Sequence, residues 1–121
     1  MHNFKELRIW QQAMEIALKV YEVTAKFPDR ERFGLISQIN RAAVSILSNI
    51  AEGAGRGTDK DFCNFLRIAL GSSFELETQL ILAHQLGYIS QETFDLLSRL
   101  LSEEQKMINT LHKGIQKRIN L

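Results

Sequence analysis

The sequence predicts an all-α protein, an antiparallel up-down-up-down four-helix bundle. Apolar residues recur at helical spacing through four long segments. Short runs of turn-forming residues separate these segments, and no alternating strand pattern competes with them.

The first segment places Leu7, Trp10, Met14, Ala17 and Tyr21 on one stripe. Ile9, Ala13, Ile16, Val20 and Val23 form an adjoining stripe, so the helix has a wide apolar face. Pro28 disfavours helical geometry at the residue before it, which sets this helix at residues 4–26. Asp29 is the candidate cap of the second helix. Its core stripe is Ile36, Ile39, Ala43, Ile46 and Ile50. Gly53, Gly55 and Gly57 then predict an end near Glu52 and a tight reversal.

Thr58 or Asp59 is placed to cap the third helix, whose core stripe is Phe62, Leu66, Ala69, Ser73, Leu76, Leu80 and Ala83. Gly87 supplies its stop and Ser90 caps the fourth. The fourth helix carries Phe94, Leu97, Leu101, Ile108, Leu111 and Ile115. Lys113, Lys117 and Arg118 lie near its end, where cations complement the helix dipole. Short links between long amphipathic helices make neighbours antiparallel, and the whole of residues 1–121 is expected to form one domain.

Composition narrows the function classes. Cys63 is the sole cysteine, which rules out an intrachain disulfide or a thiolate zinc cluster. The N-terminal stretch MHNFKELRIWQQ is polar, and no apolar run approaches a membrane span, so a cytoplasmic protein without membrane contact is expected. Fifteen Lys plus Arg against fourteen Asp plus Glu give a net charge of +1, far from the strongly basic balance of a dedicated nucleic-acid binder.

The third helix is too apolar for a lone bundle. Cys63, Leu70, Phe74 and Ile81 form a second series rotated away from its core stripe, which predicts self-association through this helix. The second helix offers a small, polar second face of Ser37, Arg41, Ser45, Ser48 and Glu52. Pairing the two helices about the glycine turn puts Arg41 near the level of Gly71, within reach of Glu75, which allows an ion pair, whereas two separately solvated charges are the commoner arrangement at a surface.

Neither catalytic chemistry nor a cofactor is expected. There is no Glu-x-x-His pair of the di-iron kind, and His2, His84 and His112 form no HExxH, so no metal site is anticipated. The run EGAGRGTDKD lacks the GK[ST] ending of a phosphate loop and follows a helix instead of a strand, which leaves it a reversal with Arg56 exposed at its tip. Cys63 has no base in its local sequence for nucleophilic activation, because His84 lies several turns along the same helix, so a base would have to come from another element; a small buried thiol is the commoner reading. Lys106, Lys113 and Lys117 share one face of the fourth helix with Arg118 beside them. They are candidate phosphate contacts, whereas the plainer reading is a solvated helix end.

Over nearly its full length the chain resembles a bacterial family of small four-helix-bundle proteins encoded in intervening sequences of 23S ribosomal RNA genes. The resemblance rests on LRIWQQAMEIALKVYEVTAKFP, FGLISQINRAAVSILSNIAEGAGR and FCNFLRIALGSSFELETQLILAHQLGYI. It implies a homopentamer of four-helix bundles. A looser similarity links the chain to accessory proteins of diversity-generating retroelements, which form similar pentamers and bind nucleic acid and a reverse transcriptase. The most characteristic positions are Arg41, Asn49, Glu52, Gly53, Arg56, Gly71, Ser72, Glu75 and Thr78, read as assembly positions.

These readings combine into one expectation: a noncatalytic homo-oligomeric scaffold or adaptor. Its interface would draw on Arg41, Glu52, Cys63, Leu70, Gly71, Phe74, Glu75, Thr78 and Ile81. RNA, DNA or a nucleic-acid-processing protein would meet Arg56, Lys106, Lys113, Lys117 and Arg118. The alternative is a protein-only interaction module with no nucleic-acid affinity.

Overall fold

The computed structural model describes residues 3–120; His2, weighed above as a metal ligand, lies outside the described residues. Four α-helices carry the fold: α1 (Arg8–Thr24), α2 (Leu35–Gly55), α3 (Asp59–Gln85) and α4 (Gln91–Ile119), with no strand among the described residues. Each helix packs on the next and α1 also packs on α4, which closes the ring of a four-helix bundle. The core is a continuous cluster of aliphatic side chains with Phe27 and Phe62.

Sequence capping explains most of the boundaries. The Thr58 hydroxyl accepts from the Asp61 N–H at the start of α3, and the Ser90 hydroxyl accepts from the Thr93 N–H at the start of α4. Gly87, at φ 83, ends α3 in a Schellman turn, with Tyr88 N–H donating to the Ala83 carbonyl at 2.9 Å.

Two expectations are corrected. The first helix is interrupted near its start: Phe4–Glu6 is a short 3-10 turn held by the Asn3 side chain, and α1 proper begins at Arg8. Within its wide apolar face, Ile9, Ala13, Ile16 and Val20 of the second stripe and Ala17 of the first are buried, Leu7 and Trp10 are partly buried against the core, and Tyr21 is half exposed. Asp29 does not cap α2; it opens a 3-10 turn, Asp29–Glu31, and α2 begins after Gly34 without a side-chain cap.

The second helix also runs past Glu52 to Gly55. Gly53 is a buried helical residue there, and a side chain on it would collide with Phe65 of α3. Only Gly57, at φ 92, uses glycine's left-handed freedom in this reversal. Close approach at Gly53, and a 2.8 Å contact between the Ser45 and Ser72 hydroxyls, hold α2 and α3 together.

Candidate functional site

The core stripe of α3 faces inward as expected, from Phe62 to Ala83. The second apolar series divides. Cys63 is buried inside the subunit, where its Sγ donates to the His112 carbonyl at 3.8 Å, so it is a core residue and its assignment to an interface is corrected. Leu70 is half-buried beside α4, in a groove it shares with Phe74, Ser102, Gln105 and Lys106. Phe74 and Ile81 remain 51% and 40% exposed. Ile68, Leu82 and Leu86, which the sequence reading passed over, are each about half exposed on the same helix.

Polar residues interleave with this surface. Gly71, Glu75 and Thr78 are exposed, and the Thr78 hydroxyl donates to the Phe74 carbonyl at 2.9 Å. Arg41 on α2 is exposed and makes no ion pair with Glu75, so of the two arrangements the sequence allows, the two solvated charges are the one present. Glu75 instead accepts from the Gln79 amide at 3.4 Å, and the polar link between α2 and α3 is Ser45 to Ser72. Asn49 supports that link by donating to the Ser45 carbonyl and hydroxyl at 2.8 and 3.0 Å.

The five candidate cations fall into two groups. Arg56 is committed within the subunit: it meets Glu52 at 2.7 Å and lies 5.0 Å from the centre of the Phe65 ring. Its hydrogen bond to Glu52 raises its pKa above the ordinary value. Arg118 is likewise committed, with two hydrogen bonds of 3.2 and 3.1 Å to Asp59 that tie the end of α4 to the start of α3 and raise its pKa. Lys106, Lys113 and Lys117 are exposed and make no ion pair among the described residues. Lys106 also borders a 460 Å³ groove between α1 and α4, with Leu7, Arg8, Met107 and Leu111.

The Cys63 thiol meets His112 through that residue's backbone carbonyl. Burial, then the charge of Asp59, pushes the Cys63 thiol above its ordinary pKa and away from the thiolate form. The His84 ring stacks on Phe94 with centres 4.3 Å apart. No cluster of three metal-ligating side chains occurs among the described residues, and no helix there is long and apolar enough to cross a membrane.

Two further features escaped the sequence reading. Glu104 is wholly buried on the core face of α4, and neither carboxylate oxygen has a hydrogen-bond partner. Burial raises its pKa to about 8. The signal was its heptad position between Leu97, Leu101 and Ile108, all buried. Phe33 is 91% exposed on the turn before α2, outside every amphipathic stripe and beside Arg32.

Family comparison agrees with the helix sequences. The model for the 23S rRNA-intervening sequence protein family matches residues 5–110. The chain belongs to that family. None of the curated proteins matches it. A crystal structure of a protein of unknown function, from the S23 ribosomal protein family of Bacteroides thetaiotaomicron, shares the fold with a TM-score of 0.80 and 26% identity. That similarity covers 87% of this chain and 95% of the other. The residues matched to the 23S rRNA-intervening sequence family include the exposed face of α3 and Lys106, while Lys113, Lys117 and Arg118 lie beyond them.

Proposed function

We propose that this member of the 23S rRNA-intervening sequence family is a noncatalytic homo-oligomeric scaffold, whose assembled surface contacts RNA, DNA or a protein that processes them. The observation that carries the reading is the outer face of α3, where Ile68, Phe74, Ile81 and Leu82 are left in solvent by the subunit's own packing. Several large apolar side chains left exposed along one helix support an interface there. A second copy is the occupant, because Arg41 and Glu75 flank the face without an ion pair inside the subunit and supply opposite charges for a neighbour. Five copies is the number implied by the family resemblance, and a closed ring would repeat the Lys106, Lys113 and Lys117 row around one rim.

Light scattering tests the assembly. A multiple of the 13.9 kDa subunit is expected for the unaltered chain, and a monomer mass for Ile81→Glu. A monomer mass for both sinks the scaffold reading. Nucleic-acid contact is tested by fluorescence anisotropy with labelled RNA and DNA oligomers at low and near-physiological salt. Binding should weaken as salt rises, because phosphate contacts release counterions. It should also weaken in Lys113→Ala and Lys117→Ala.

A second reading, a protein-only interaction module, is favoured by the net charge of +1 and by the carboxylates already held by Arg56 and Arg118. Absence of oligonucleotide binding at low salt would select it.

A further inference from the structure

We propose that the corner between α1 and α2 is a stacking site for an unpaired nucleobase, which makes single strands the nucleic acid this chain prefers. The inference rests on the nucleic-acid reading above but uses a different surface. Tyr21, Thr24, Asp29, Arg32, Phe33 and Asn40 border a 640 Å³ cavity at this corner, within the range of roughly 300–1,000 Å³ that small-ligand sites occupy. It lies at the end of the bundle opposite Arg118, which is bound to the start of α3.

The aromatic residues are placed for a ligand and not for the core. Phe33 is 91% exposed and gains little from the folding of the subunit, and Tyr21 leaves half of its surface, 50%, in solvent. The Arg32 guanidinium lies 5.8 Å from the centre of the Phe33 ring and makes no ion pair among the described residues. A cation over a ring leaves the charge available for a phosphate while the other ring face takes a base.

The polar groups match the edge of a base. The buried Thr24 hydroxyl donates to Asn40 Oδ1 at 2.9 Å, which fixes the amide and leaves its Nδ2 hydrogens as donors. Asp29, exposed and without an ion pair among the described residues, is an acceptor on the same cavity. Donor and acceptor together suit a nucleobase, which presents both, better than an apolar helix, which would leave both unsatisfied. A duplex hides its base faces, so only an unpaired base can reach Phe33.

The test is anisotropy with one labelled single-stranded RNA and the same sequence as a duplex. Phe33→Ala should weaken single-strand binding about tenfold, within what one base stack contributes, and leave duplex binding unchanged. Phe33→Trp should restore it. The thermal midpoint of Phe33→Ala should match the unaltered chain, since the ring is in solvent. Unchanged single-strand binding in Phe33→Ala, with loss in Lys113→Ala and Lys117→Ala, overturns this inference and leaves the nucleic-acid reading standing. A fall in assembly mass in Phe33→Ala also overturns it, by making Phe33 a protein contact. No binding of either oligomer by the unaltered chain removes the nucleic-acid reading and this inference with it.

Discussion

Gly53 of α2 faces Phe65 of α3 so closely that a Cβ on Gly53 would stand 2.5 Å from the Phe65 Cβ. The Phe62 ring would be 3.2 Å away. A Cβ is fixed to its backbone, so no rotamer change relieves the contact and the two helices must part. Overpacking usually costs about 1–3 kcal/mol and the helix-propensity gain returns about 1 kcal/mol, so Gly53→Ala is expected to destabilise the fold by up to about 2 kcal/mol. Urea denaturation measures it, with Gly55→Ala as the control because open space surrounds that position. A midpoint that rises in Gly53→Ala would mean the helices are not held this close.

Gly71 poses the opposite case. It lies in the interior of α3 with nothing within 4 Å of a built Cβ, so nothing inside the subunit requires glycine there. Alanine should stabilise an isolated subunit by about 0.5–1 kcal/mol through helix propensity. If a neighbouring copy packs on the face with Phe74 and Ile81, the same methyl group obstructs it. Gly71→Ala should then shift light scattering toward smaller species while raising the thermal midpoint of the dissociated form. Unchanged assembly would remove Gly71 from the interface.

Asp59 restrains a candidate contact residue, since both of its carboxylate oxygens accept from Arg118. Asp59→Asn should release that guanidinium and remove one negative charge from the same end of the bundle. Oligonucleotide binding at low salt is expected to strengthen and to depend more steeply on salt. Binding that weakens instead would show that the pair positions the end of α4 for contact.

Local chemistry made the helix starts and stops readable: a hydroxyl at Thr58 or Ser90 and a glycine at Gly87 each act within one turn. Gly53 was misread as a break because a glycine needed for close approach carries the same local signal as one needed for a turn, whereas Gly55 does mark the end of α2. The choice between the Trp10 and Ile9 stripes depends on what the rest of the bundle covers, and spacing within α1 does not contain that information. The same limit applies to the cations. Glu52 lies one turn before Arg56 and could have been read as its partner, whereas Asp59 reaches Arg118 only through the tertiary fold.

Glu104 ties stability to pH. Its carboxyl is fully buried without a hydrogen-bond partner, and burial raises its pKa to about 8, against about 4.3 in an unfolded chain. Between those values the folded state binds more protons than the unfolded state, so this group's contribution to stability falls as pH rises and levels off above about 8. The full span corresponds to about 5 kcal/mol as an upper bound, at about 1.4 kcal/mol per pH unit. Glu104→Leu removes the titrating group and fills an apolar site, so it should stabilise the fold far more at pH 8 than at pH 5. Paired urea denaturations at the two pH values isolate the effect, because every other titrating group is common to both proteins. An equal stabilisation at both would mean that the Glu104 carboxyl is solvated or paired in solution, and that its burial here does not control its charge.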